Sequence, residues 1–378
     1  MRSNAAKIAL PAVILVGASI AVSSGAVQAA QCAPISVDAR VLLSGPYVPE
    51  TGLMGDALRT SGELPTTEPY RDLGFIMRGG EASTLELGDP STSGPSSFVD
   101  WMLFELRDPA DPRLIIATDT VPVERDGDLA RSLSFTVPSG DYYLAVEHRN
   151  HLGVMTEAPI SLTSGTIPMI DFTDPATPVW DRIDVIDGGA VIDYHGVERQ
   201  IIDGVAVLWP GDADHDGRSL FDGSGDDDPA VVENAAMSAP ENILSSPSYI
   251  VPAYVGSDLN LDGNAIYQGQ INDPTVTANA VFLFPLNITN DPNYPYLIEQ
   301  LPLDQLGEAR TDSCELPTTQ PSLPPASDPR SPKQPILANT GFSIFESWPA
   351  VAVSLCMVAA GLVVTGLRRR GNRRGSRS

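Results

Sequence analysis

The chain has 378 residues, 48 acidic against 23 basic, and a formal charge of −25. So large an acidic excess excludes the usual nucleic-acid binder, because a phosphate backbone is gripped by Lys and Arg. Residues 30–340 keep 47 acids and 15 bases, a formal −32, and length there suits two modest domains; the plain reading of so acidic a surface is solubility, the sharper one that some carboxylates are gathered around cations.

At the N-terminus Arg2 and Lys7 accompany a mainly apolar stretch, Ile8 to Val22, and a run of small residues follows. This is the layout of a secretory signal peptide. Val27 and Ala29 place small side chains where a signal peptidase needs them, so the signal is expected to be 1–29, with Ala30 the competing cut. Export makes the surroundings permissive for disulfides. Cys32 and Cys314 flank the folded region, and a Cys32–Cys314 bridge is expected, two free thiols being the alternative.

Residues 33–175 read as an antiparallel β-sandwich, so the fold class expected is mainly β. Short apolar-alternating runs such as "RLIIATDTVPV", "SLSFTVPSG" and "DYYLAVEHR" are separated by Gly, Pro and Asp clusters. "FVDWMLFELRD" carries apolar residues at both parities, which predicts a central strand, and "ERDGDL" predicts a turn. In "EHRNHLGVMT", His148 and His151 are three apart. On a strand that spacing points them to opposite sides, so hydrogen-bonded strand-end structure is expected, and metal binding or catalysis needs a loop to bring them together.

Residues 178–300 contain a duplication, expected to form a small α+β module with two calcium loops and short helices. "GDADHDGRSLFDGSGDDDPAVVENA" begins at Gly211 and "SDLNLDGNAIYQGQINDPTVTANA" at Ser257. Asp212, Asp214, Asp216 and Gly217 match Asp258, Asn260, Asp262 and Gly263, with Phe221 matching Tyr267 and Gly223 matching Gly269. Oxygen side chains at positions 1, 3 and 5 with Gly at 6 make the front half of a calcium loop. Ca²⁺ takes hard oxygens, alternate residues of a tight turn aim three inward, and Gly bends the chain so that the position-7 carbonyl, here of Arg218 or Asn264, can join.

The pattern resembles an EF-hand or dockerin loop but departs at position 12, where Gly223 and Gly269 replace the bidentate acid. Asp227 or Asp228 in the first copy and Asp273 in the second are the nearest substitutes. Each loop runs into Asp-Pro (Asp228-Pro229, Asp273-Pro274), an expected N-cap with proline in the first helical turn. The calcium is read as structural; the alternative is a dockerin-like surface that docks on a partner. His195 and His215 receive no role.

Residues 315–336 are proline-rich and suit a stiff, extended spacer. Beyond them come Leu337-Ala338-Asn339-Thr340-Gly341, 20 uncharged residues from Trp348 to Leu367, and Arg368, Arg369, Arg370, Arg373, Arg374 and Arg377. The apolar stretch is long enough for a C-terminal transmembrane helix, with the arginines on the cytoplasmic side. Motif, span and basic tail in this order resemble the sorting signal (337–378) of Gram-positive cell-wall proteins. Ala338 in place of proline matches the Leu-Ala-x-Thr-Gly variant of high-GC actinobacteria. The resemblance implies that a sortase takes the chain as substrate and joins it at Thr340 to peptidoglycan, which would place the protein at the cell wall.

The chain contains no Gly-x-Ser-x-Gly, His-Glu-x-x-His or phosphate-binding glycine loop. The expectation is a non-catalytic, calcium-stabilised surface protein, adhesive in one version. A module that binds a glycan or a protein at the cell surface is the alternative.

Overall fold

The computed structural model describes residues 33–79, 84–182, 184, 185, 191–223 and 227–302. The signal peptide, Cys32, Cys314, the spacer, the sorting motif and Trp348–Leu367 lie outside them. Among the described residues no helix is long and apolar enough to cross a membrane.

In chain order, β1 (Ile35–Arg40) is followed by the short pair β2 (Tyr47–Val48) and β3 (Leu53–Met54), then by α1 (Ala57–Ser61) and α2 (Tyr70–Leu73). Next come the long strands β4 (Phe98–Arg107) and β5 (Ile115–Glu124), then β6 (Leu133–Phe135), β7 (Gly140–Glu147), β8 (Val154–Met155), β9 (Ile160–Leu162) and β10 (Met169–Asp171). Two hairpins follow, β11 (Asp184–Val185) with β12 (Val191–Ile192) and β13 (Gln200–Ile202) with β14 (Val205–Val207). The last part holds α3 (Asp228–Ser238), β15 (Ile250–Val251), β16 (Ala265–Ile266) and α4 (Pro274–Leu283).

The protein is mainly β, with few helices. The largest sheet runs β5-β4-β7-β8, with β9 also on β7, and all its pairings are antiparallel. β4 is buried from Val99 to Arg107 and lies between β5 and β7, as its two-sided apolar pattern predicts. A second sheet runs β10-β1-β6, and here the expectation of purely antiparallel pairing fails: β1 pairs β10 in parallel. Their separation of more than a hundred residues allows the crossover that a parallel pair requires. The "ERDGDL" turn is present, with Gly127 at φ 90° donating to the Glu124 carbonyl.

The main apolar cluster takes Ile35, Val37 and Ala39 from β1, Trp101 and Leu103 from β4, and Leu144 and Val146 from β7. It also takes Val207, Leu208 and Leu261, so residues on both sides of 175–178 share one core. The polar ends of the large aromatics are satisfied inside it: Tyr70 donates to the Trp101 carbonyl (2.7 Å) and Trp101 Nε1 to the Pro65 carbonyl (2.9 Å). Burying such groups without partners would cost about 1–3 kcal/mol each.

Candidate metal loops

Both copies of the duplicated motif form the same turn. Position 4 is left-handed in each (His215 φ 61°, Leu261 φ 56°), and so is the glycine at position 6 (Gly217 φ 82°, Gly263 φ 87°). A leucine in that region is strained; Leu261 is 1% exposed, and its place in the core offsets the strain. The turn folds the chain back over the carboxylate at position 1. Asp212 accepts from the N–H groups of Asp216 (3.0 Å) and Gly217 (3.1 Å), and Asp258 from those of Asp262 (3.0 Å) and Gly263 (2.9 Å).

In the first loop the carboxylates of Asp212, Asp214 and Asp216 converge, with one oxygen of each lying within 4.8 Å of the others. In the second, Asn260 donates to Asp262 (3.2 Å), while Asn264 donates to Asp262 through its backbone N–H (2.9 Å). The backbone of Arg218, the expected position-7 ligand, is bridged to Ile298.

The acids that follow each loop separate into two roles. Asp228 accepts from Ala213 (2.6 Å) and Leu220 (2.6 Å); Asp273 accepts from Leu259 (2.7 Å) and Ile266 (2.7 Å). Each therefore staples position 2 of its loop to position 9. The side chains that cap come from the residue before each Asp-Pro pair: the N-cap of α3 is Asp227, and in α4 Asp273 holds the expected N-cap position but its side chain makes no capping bond. Asp227 accepts from Ala230 (2.8 Å) and Asn272 from Thr275 (3.1 Å), each three residues on. One acid need not serve as both staple and cap, because the preceding side chain is the one that reaches the free helical N–H.

Burial and neighbouring carboxylates push Asp212 and Asp228 well above the usual carboxylate range. Burial raises Asp258 and Asp273 to about 7, with Asp273 adding to the shift at Asp258 and Asp262 to that at Asp273. Four buried acids crowded this way are unfavourable as anions, and a divalent cation among them would reverse that.

The duplication runs further than the loops. After α3, Asn242 donates to the carbonyls of Ala236 (2.7 Å) and Ser246 (2.9 Å) and accepts from Ser246 (2.8 Å). After α4, Asn287 does the same with Val281 (2.9 Å) and Asp291 (3.0 and 2.8 Å). The signal is visible as "PENI" against "PLNI", 45 residues apart, and the reading from the loops alone missed it. The partner segments are exchanged between copies. β15, after α3, pairs with β16 of the second loop, whereas Leu297–Glu299, after α4, binds the first: Ser219 donates to Leu297 (2.9 Å) and Glu299 to Gly217 (2.9 Å).

The "EHRNHLG" segment lies between the two loops. A loop after β7 does bring His148 and His151 together, with Nδ1 atoms 3.2 Å apart, but both rings are buried and engaged. Gly45 N–H donates to His151 Nε2 (3.0 Å), which leaves the His151 proton on Nδ1, facing the Asn150 side-chain oxygen (2.9 Å). His148 Nε2 faces Asp100 (3.2 Å). Asp100 also accepts from Arg149 (2.9 Å) and Tyr254 (2.7 Å), and although burial would raise its pKa, Arg149 and His148 bring it down to about 2. Burial lowers both histidines, His151 most.

Asn150 ties this hub to the two loops. Its carbonyl accepts from Gly211 (3.2 Å), just before the first loop, and its amide donates to Gly256 (2.9 Å) and to the Asp258 carbonyl (2.6 Å) of the second. Arg149 adds a bond to the Val255 carbonyl. The segment is thus the seat on which both loops rest. No protein-family model matches the chain, and neither a curated protein nor a solved structure does.

Proposed function

We propose that this chain is a non-catalytic, exported surface protein that binds two Ca²⁺ ions and is attached covalently to peptidoglycan. One observation carries the calcium reading: the same turn is built twice, with oxygen side chains at positions 1, 3 and 5 around it and a buried aspartate stapling it shut. Asp212, Asp214, Asp216 and the Arg218 carbonyl are the first ligand set, and Asp258, Asn260, Asp262 and the Asn264 carbonyl the second. Asp228 and Asp273 stand in place of the position-12 acid, from beneath the loop. Ca²⁺ here is structural, holding a β-sandwich and an α+β loop–helix module together.

Display rests on the sequence of the C-terminus. The span Trp348–Leu367 and its arginines hold the chain in the membrane while a sortase cysteine attacks the Thr340 carbonyl. The Thr340–Gly341 bond breaks, and an amine of the wall precursor releases the acyl-enzyme. Mass spectrometry of wall-released protein tests this: a C-terminus at Thr340 bearing a wall fragment is expected, and an intact 341–378 tail refutes it. Calorimetry of the full chain tests the ions. Two binding events and a higher melting temperature in calcium are expected, since a ligand of the folded state alone stabilises it.

A second reading, a dockerin-like protein contact, is favoured by a specific feature. Ile243 (88%) and Ile288 (86%) are the most exposed large apolar side chains described, and they occupy equivalent places after the two helices. Exposed apolar groups on turns held by Asn242 and Asn287 are suited to a partner surface.

A further inference from the structure

His151 is held at both ring nitrogens by groups that fix its proton. Nε2 accepts the Gly45 N–H (3.0 Å), so it carries no proton of its own. Nδ1 faces the Asn150 side-chain oxygen (2.9 Å), and the Asn150 amide is committed to the carbonyls of Gly256 and Asp258, so that oxygen accepts. Two independent partners therefore place the His151 proton on Nδ1.

The next ring is set in the same direction. Asp100 is ionised and accepts from Arg149 and Tyr254, so His148 Nε2 (3.2 Å) donates to it as well. That leaves His148 Nδ1 as an acceptor, facing His151 Nδ1 (3.2 Å) and the Asn150 N–H (3.4 Å). Hydrogen bonds thus run one way from the Gly45 N–H through both rings to the Asp100 carboxylate.

A second proton on His151 has one place to go, Nε2, and there it meets the Gly45 N–H: two donors 3.0 Å apart with no acceptor between them. Solvent does not relieve the conflict, because His151 is 1% exposed. Arg149 and His148 flank the ring, Asp100 reaches it only through His148, and Tyr254 lies beyond Asp100. Burial, His148 and Arg149 all disfavour the imidazolium while the contact is closed. Gly45 is the member free to move. Its neighbours are pinned elsewhere, Ser44 N–H to the Leu208 carbonyl (3.2 Å) and the Pro46 carbonyl to the Gly55 N–H (2.8 Å), while Gly45 itself lies against the Leu259 carbonyl oxygen of the second loop.

We propose that His151 is a proton-operated catch: a second proton at Nε2 ejects the Gly45 N–H and frees this part of the N-terminal segment from the seat of the two loops. Asn150 keeps its bonds to Gly256 and Asp258, so the seat itself stays in place and the flank of the second loop at Leu259 opens. The catch is shut at neutrality and opens in acid. It needs no ion in either loop.

Hydrogen exchange of the full-length chain in detergent, resolved to single amides and corrected for the intrinsic rate at each pH, tests the catch. The freed ring titrates at its ordinary 6.5 and the closed ring well below it, so closure is fully stabilised above 6.5 and weakens as pH falls. Protection of the Gly45 amide is expected to drop about tenfold per pH unit below 6.5. The amides of Ser44 and Trp101, bonded to the Leu208 carbonyl and the Asp100 carboxylate, keep their protection. His151→Gln, whose side-chain oxygen can accept from Gly45 and whose amide does not titrate, removes the pH dependence; if that variant does not fold, the three amides of the unaltered chain decide alone. Gly45 protection that stays flat to about pH 4, or that falls only together with Ser44 and Trp101, overturns the catch. A fall that persists in His151→Gln overturns it too.

Discussion

Asp228 and Asp273, 45 residues apart, make the same pair of bonds: one carboxylate oxygen to the N–H at loop position 2 and the other to the N–H at position 9. Both side chains are buried, and both directly precede a proline in the first turn of a helix. The staple therefore joins the two ends of each loop to the first turn of the helix behind it. Loop, staple and helix form one unit, and the unit occurs twice.

Removing a staple strands one buried and one half-buried donor. Asp273→Ala leaves the N–H groups of Leu259 and Ile266 without acceptors, and about 1–3 kcal/mol is expected for each. Urea unfolding in chelator should show a loss of about 3 kcal/mol with little change in slope. A loss below about 0.5 kcal/mol would mean that water replaces the carboxylate freely.

Calcium binding should release protons near neutrality. Asp258 and Asp273 have folded pKa values of about 7 against an ordinary 3.8. A raised folded pKa contributes stability that is fully present below 3.8 and is lost as pH rises through about 7. The ion-free protein is thus expected to weaken across that window, while calcium affinity rises with pH through it as the ion displaces protons. Calorimetry in buffers of different ionisation enthalpy reads the proton release directly; zero release at pH 6.5 would show the acids already ionised.

The two hub histidines should stay neutral below the usual imidazole range, His151 furthest. Both have lowered pKa values, so the stability they contribute is present above the ordinary 6.5 and is lost as pH falls. NMR of the ring nitrogens should place the His151 proton on Nδ1, because Nε2 accepts from Gly45. Nε2 protonation, or a His151 titration near 6.5, contradicts the hub geometry.

Gly45 is one point at which the N-terminal segment touches the second loop, Ser61 against Gly263 being another. A side chain there would drive its Cβ into the Leu259 carbonyl oxygen and within 3.1 Å of His151 Nε2. Gly45→Ala should cost about 1–3 kcal/mol, the usual range for overpacking, and should weaken the second calcium site more than the first. Thermal melts with calorimetry on the variant decide this, and equal weakening of the two sites would place the contact elsewhere.

What the sequence determined by itself is local. The oxygen-glycine spacing of each loop is legible because the atoms that would meet an ion lie within a few residues of one another, and the glycine at position 6 is dictated by its own backbone angle. The central place of β4 is legible for a similar reason: apolar residues at both parities leave no face for water. Alternation also marks most of the other strands, although it cannot tell a parallel neighbour from an antiparallel one, and β1 beside β10 escaped it. The fate of the acids after each loop was decided by tertiary structure. Several aspartates stand close together in the chain, and only the fold selects Asp228 for the staple and Asp227 for the cap. The same holds for His148, Arg149, Asn150 and His151. Their spacing on a strand would have separated them, but the chain turns after β7, and their partners at Gly45, Asp100, Gly211 and Asp258 arrive from four distant segments. Hydrogen bonds over such separations leave no periodic trace in a sequence, because each is fixed by where the packed core brings two backbones together.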